Sequence, residues 1–321
     1  MGSHRVAVRS RREVLWQDAK KYFHYLFDRK PFDAHFSDTM PSARSLAAAH
    51  RIRGETHGAA LFVHGLMPRS GTVYVGELLR KHLDIHAFPY NIWELPFLQH
   101  AADIQQLEDR FLWSYEQNMD KIQDGDFLPV FGAAIVNYLY GDAPQGKRIM
   151  LKVPSVEYLH LFSATFPAEH LLVLVRDGRD VVASTVKTWP QIGFSMACRR
   201  WQRSARMALD YDREMSCKQH GYWLGKFEDA VAAPDAFARE ACKRFDLEPT
   251  RFPYEDSLSV PVHGSSELFS SGAIEWAAVA KPEGFDPRGR WRDWSRRRKS
   301  IFKRIAGREL IELGYCKDLN W

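Results

Sequence analysis

The chain has 321 residues, 45% of them hydrophobic and 13% aromatic, so it is long enough to bury a large core and lacks the bias of a disordered or fibrous protein. A net charge of +5 suits anionic ligands but is too small over this length to imply nucleic acid. Four cysteines without CxxC pairing read as reduced thiols, with neither a metal knuckle nor a disulfide framework. The start of the chain carries no apolar signal core, and no stretch reaches the roughly 18 apolar residues of a membrane span. The expectation is a soluble, cytoplasmic protein.

In chain order, residues 12–29 place Val14, Leu15, Tyr22, Phe23, Leu26 and Phe27 at helical spacing, which predicts an amphipathic helix within an N-terminal extension over 1–58. A main domain then covers 59–321. It opens with the apolar run Ala60-Leu61-Phe62-Val63 ending at Gly65, a loop, and a helical stretch from Val73 to His82. Ile149-Met150-Leu151 is a short strand ending at Lys152. Leu171 to Val175 is a continuous strand of the kind covered on both faces, followed by a helix from Asp180 to Thr188. Tyr222-Trp223-Leu224 is a fourth strand. Long helices follow over 195–220 and 295–313, while 95–145 and 262–287 are weakly patterned and are expected to shape a substrate pocket.

Strands alternating with helices predict an α/β fold, a central parallel sheet flanked by helices, with ligands bound beyond the carboxyl ends of the strands. Polar residues follow each apolar run: Pro68 to Thr72, Lys152, Arg176, and Phe227-Glu228. A loop leaving a strand and entering a helix offers unpaired N–H groups and the positive end of a helix dipole, which together cradle an anion. In Gly65-Leu66-Met67-Pro68-Arg69-Ser70-Gly71-Thr72, Gly71 admits close approach, Ser70 and Thr72 add hydroxyls, and Arg69 adds a fixed cation. The glycine spacing departs from GxxxxGK[ST], and no lysine separates Gly71 from Thr72.

The Pro68–Thr72 loop resembles the 5′-phosphosulfate loop of the sulfotransferases that use 3′-phosphoadenosine 5′-phosphosulfate (PAPS). Arg176-Asp177-Gly178-Arg179-Asp180, with Ser184 eight residues after Arg176, resembles that family's 3′-phosphate motif, Gly178 standing where proline is common. Lys226-Phe227-Glu228-Asp229 resembles its YEDL segment, which places Phe227 near the adenine. Arg288-Gly289-Arg290-Trp291-Arg292 resembles the late segment that closes over the 3′-phosphate. The resemblance spans roughly residues 59–316 and implies a P-loop NTPase-like sulfotransferase fold.

It also implies sulfuryl transfer from PAPS to a hydroxyl or amine, leaving adenosine 3′,5′-bisphosphate, with no metal needed. The acceptor expected is a glycan or small hydroxylated metabolite. Such a reaction needs in-line positioning and charge stabilisation, roles open to Arg69 and Lys152. A base speeds removal of the acceptor's proton. Cytosolic members carry a histidine two residues after the lysine that matches Lys152; here that residue is Pro154. Glycan- and tyrosine-directed members use a glutamate 20–30 residues after the loop, which points to Glu94, set in sequence among apolar residues that would desolvate it. His64 and Glu77 are weaker alternatives. The rival readings are a nucleotide-dependent kinase and a non-catalytic nucleotide-binding module.

Overall fold

The computed structural model describes residues 41–87, 94–114, 122–141, 143–255, 264–270, 273–279 and 286–321. The amphipathic helix expected over residues 12–29 lies outside them. Helix α1 (Ala43–Arg53) comes first, followed by β1 (Leu61–Gly65), α2 (Thr72–Leu79), β2 (Ile85–Ala87), α3 (Phe97–Ser114), α4 (Phe127–Tyr140) and β3 (Arg148–Val153). A short helix α5 (Phe162–Thr165), β4 (His170–Val175), α6 (Gly178–Thr188), α7 (Phe194–Met215) and β5 (Tyr222–Lys226) continue the alternation. Helices α8 (Phe227–Ala232) and α9 (Pro234–Arg244), the hairpin β6 (Gly264–Ser270) and β7 (Ala273–Val279), and α10 (Arg296–Glu312) complete the chain.

The five strands β1 to β5 form one all-parallel sheet in the order β2-β3-β1-β4-β5. Each apolar run feeds both faces of that sheet. Leu171, Val173 and Val175 enter the larger core with Trp201, Phe162 and Phe302, whereas Leu172 and Leu174 enter the smaller one with Tyr74, Phe227 and Phe237. A strand buried on both sides needs apolar residues at every position, which explains why these runs are continuous.

Two ties outside the sheet fix the helical layers. The buried Arg53 on α1 pairs with Glu169 just before β4 (2.6 Å), joining the first described helix to the sheet. Glu108, fully buried on α3, accepts the Phe127 N–H at the start of α4 (3.1 Å). Burial pushes its carboxyl up to about 7.

The weakly patterned stretch 95–145 therefore contains two substantial helices. In α4 the run Phe-Leu-Pro-Val-Phe-Gly-Ala-Ala-Ile-Val is apolar almost throughout, so it shows no 3.6-residue alternation to read. The stretch 262–287 contains an antiparallel hairpin. Strand β2, three residues long at the sheet edge, is too short to announce itself. No helix among the described residues is long and apolar enough to cross a membrane.

Candidate active site

The sheet order brings the carboxyl ends of β3, β1 and β4 side by side, and the predicted site residues gather there. The loop after β1 is built from its own side chains. Ser70 Oγ donates to the Met67 carbonyl (2.8 Å) and accepts the Met67 N–H (3.2 Å), so this buried hydroxyl braces the turn. Arg69 and Gly71 both take positive φ, 82° and 94°, and α2 begins immediately afterwards. Among the described residues, the N–H groups of Gly71, Thr72 and Val73 have no acceptor, as expected of a first helical turn. They are the open donors of the cradle.

Gly71 is required twice over. Its left-handed backbone favours glycine, and a Cβ there would lie inside the contact distance of the Phe227 ring. Phe227 thus sits directly beneath the loop. Its ring is 2% exposed, edge-on to Tyr74 (6.0 Å) and under the Arg176 guanidinium (4.5 Å). Its place in the structure is packing that supports loop and cation together.

Arg176, at the end of β4, donates from Nη1 to the Arg69 carbonyl (2.9 Å) and from Nη2 to the Pro287 carbonyl (2.7 Å). Burial pushes its guanidinium pKa down, and Asp180 and Glu228 oppose that shift. Arg69 Nε in turn donates to Ser184 Oγ (2.9 Å), across a sequence gap of 115 residues. The two motifs are therefore in direct contact, and Ser184, buried on α6, is one turn or more inside its helix.

The third member is the segment at 288–290. Asp180 accepts the N–H groups of Gly289 (2.9 Å) and Arg290 (2.6 Å), clamping this turn over the end of α6. Arg290 lies close enough to Arg176 for like-charge repulsion to lower the latter's pKa. Arg288 instead turns toward solvent and pairs with Asp286 (2.9 Å).

Three residues of this framework were not singled out from sequence. Asp177 caps α6, and Arg179 forks onto Asp177 (2.7 Å) and lies over Trp291 (4.0 Å) and Trp321 (4.7 Å). Glu228 accepts the Asp177 N–H and the Tyr315 hydroxyl, both at 2.9 Å. The motif was read for Arg176 and Ser184, whereas the partners of Asp177, Arg179 and Glu228 lie partly in distant segments that the sequence does not place beside them. Gly178 has a spatial reason, since a Cβ there would run into the Trp201 indole.

On the other side of β1, Lys152 pairs in register with Val63 and sends its ammonium to Glu94 (2.8 Å). The side chain of Lys152 is 5% exposed and that of Glu94 49%. The desolvated setting expected for Glu94 is thus replaced by a half-exposed ion pair, Glu94 sitting in coil before α3. His64, buried on β1, is bonded through Nδ1 to the Ser155 carbonyl (2.7 Å) and lowered to about 4 by burial. Glu77 pairs with Arg80 (3.0 Å).

The sequence model of the Sulfotransferase family matches residues 60–251, a span running from β1 through β5 and including both motifs. The chain belongs to the sulfotransferase family. This sulfotransferase is similar in structure to the sulfotransferase domain of the Synechococcus PCC 7002 olefin synthase, with 18% identity over 64% of this chain and 77% of that one (TM-score 0.43). It is also similar to sulfotransferase STF9 from Mycobacterium avium, with 15% identity over 77% and 76% of the two chains (TM-score 0.44). A mouse sulfotransferase complexed with PAP shows 9% identity over 84% and 90% (TM-score 0.43). Comparison with curated proteins gives no match.

Proposed function

We propose that this sulfotransferase takes PAPS as its donor and transfers the sulfuryl group to a hydroxyl or amine of a glycan or small hydroxylated metabolite. The observation that carries the reading is the Arg69–Ser184 hydrogen bond, which joins the 5′ and 3′ anion-binding motifs at 2.9 Å. A donor with phosphate groups at both ends of one nucleoside suits that pairing. The residues also fit the donor in one further respect. Arg176 Nε is buried without a hydrogen-bond partner, an orphan donor of the kind a 3′-phosphate oxygen would satisfy.

In this reading the amides of Gly71 to Val73, with Thr72 and Arg69, hold the 5′-phosphosulfate. Ser70 acts through the loop's shape. Arg176, Ser184 and the clamped Gly289-Arg290 turn hold the 3′-phosphate, and Arg288 lies at the rim. The acceptor oxygen bonds to sulfur as the bond from sulfur to the bridging phosphate oxygen breaks, and adenosine 3′,5′-bisphosphate leaves with the electron pair. Charge grows on that leaving phosphate, where fixed N–H dipoles and Arg69 stabilise it without reorganising.

Glu94 takes the acceptor's proton and Lys152 supplies a cation beside the moving sulfuryl group. Their 2.8 Å ion pair, which brings the two side chains together, supports this assignment. The kinase reading lacks its loop lysine. Sulfur-labelled PAPS incubated with panels of glycans, phenols and amines tests the whole reading. Label should pass to one class, Arg69→Ala should abolish transfer, and Glu94→Gln should lower it about 10²- to 10⁴-fold. Transfer at full rate by Glu94→Gln would remove the base, and magnesium-dependent ATP turnover without label transfer would restore the kinase.

A further inference from the structure

Every donor-site residue lies at the carboxyl edge of the sheet, but a second chemical cluster occupies the opposite edge. His170 is the first residue of β4, His220 immediately precedes the turn into β5, and Asp246 follows α9 by two residues. Six strand residues separate this edge from Arg176, roughly 20 Å at about 3.3 Å per residue. The cluster is therefore independent of sulfuryl transfer.

Its geometry is that of a nitrogen–oxygen ligand set. His220 Nε2 is 2.6 Å from Asp246 Oδ2, and His170 Nε2 is 3.9 Å from the same oxygen. The three potential ligand atoms all lie within 4.8 Å of one another. The two imidazoles meet edge to face at 5.6 Å and 76°, so their nitrogens converge and their faces do not stack. Asp246 reaches this position from a left-handed backbone, φ 50°.

His170 is the informative member. It is 5% exposed, stacks on Phe245 (5.8 Å), and its Nδ1 is buried without a hydrogen-bond partner. Its Nε2 is beyond hydrogen-bond range of Asp246. The buried His170 thus presents its Nε2 toward a carboxylate oxygen and a second imidazole.

We propose that His170, His220 and Asp246 form a site for one zinc-type divalent transition-metal ion, completed by water on the exposed side of His220 and Asp246. Zinc takes imidazole nitrogen and carboxylate oxygen at about 2.0–2.1 Å, which sets tetrahedral ligand atoms roughly 3.3 Å apart. The observed 2.6 and 3.9 Å separations bracket that value, so side-chain shifts on the order of 1 Å complete the set. Arg148 is the cation facing the site. It donates to the Phe245 carbonyl (2.6 Å) and the Asp246 carbonyl (2.8 Å), directing its terminal nitrogens at backbone oxygens and leaving Oδ2 free of it. The bound ion would staple the start of β4, the α7–β5 turn and the end of α9.

The test is titration of the full-length protein with Zn²⁺ by calorimetry and with Co²⁺ by visible absorption, together with His220→Ala and Asp246→Asn. Both substituted side chains are exposed, and affinity for adenosine 3′,5′-bisphosphate serves as the check that each variant is folded. The expected result is one ion per chain, d–d bands of a nitrogen–oxygen Co²⁺ site, a higher melting temperature with Zn²⁺, and at least tenfold weaker binding in each variant with nucleotide affinity unchanged. Absence of stoichiometric binding, or binding that keeps its wild-type affinity in either variant, overturns the assignment.

Discussion

Replacing Gly71 by alanine tests whether the anion cradle depends on backbone shape and on Phe227 together. The residue has φ 94°, where an L side chain costs about 1–2 kcal/mol. The added Cβ also enters the Phe227 ring, which is covered on its other sides by Tyr74 and Arg176 and cannot retreat freely. Overpacking of that kind costs about 1–3 kcal/mol, giving roughly 2–5 kcal/mol together. The strain falls on the loop whose amides face the 5′ group, so Gly71→Ala should weaken adenosine 3′,5′-bisphosphate binding as well as lower the melting temperature. Phe227→Leu should relieve the steric part while leaving the φ part. In a double-mutant cycle read by calorimetry, the pair should therefore be less damaging than the sum of the singles by at least about 1 kcal/mol. Additive effects would refute the packing argument, and a Gly71→Ala protein with wild-type stability and nucleotide affinity would refute the cradle itself.

Asp180→Asn removes one of two acceptors from the clamp and sets an amide N–H₂ against the Gly289 or Arg290 N–H. A buried unsatisfied donor costs about 1–3 kcal/mol, so nucleotide affinity should fall on the order of tenfold to a hundredfold. Hydrogen exchange at Gly289 and Arg290 should accelerate while that of β1 stays slow; unchanged exchange at both amides would contradict the clamp. Glu108→Gln addresses stability and not binding. The folded carboxyl is raised to about 7 from 4.5, so the native state holds its proton more tightly than the unfolded chain. The resulting stabilisation is complete below about pH 4.5 and is lost as pH rises through about 7, on the order of 3 kcal/mol. Denaturant melts of the Gln variant between these limits should show that slope flattened, and an identical slope would exclude Glu108 as its source.

The two strand-to-helix motifs were legible because their signals are local. Pro68 to Thr72 and Arg176 to Ser184 each follow a continuous apolar run, and the strand-to-helix setting places them without knowledge of the rest of the chain. Their contact through Arg69 and Ser184 was not legible, since it joins side chains 115 residues apart. Phe227 shows the same limit. Its position after β5 was readable, but its packing against Gly71 depends on how β1 and β5 are spaced in the sheet. The burial expected of Glu94 was missed for a different reason. Apolar sequence neighbours suggested burial, yet in coil nothing obliges neighbours in sequence to enclose a side chain, and Lys152 from another strand became its partner. The roles of Asp177, Arg179 and Glu228 were not legible because buried charges and surface charges look alike until their partners are known.

The Arg176–Pro287 hydrogen bond and the Asp180 clamp have a consequence for the nascent chain. Parallel strands β1, β3, β4 and β5 are all synthesised by residue 226, and domains begin to fold as they emerge. On the proposed donor reading the nucleotide pocket cannot close at that stage, because three of its carbonyl and amide contacts belong to residues 287–290. A ribosome-bound intermediate would hold an ordered sheet and still be blind to the donor. On the proposed donor reading, recognition waits for residues 287–290, so a chain stopped before them would keep the sheet without the turn that closes the site.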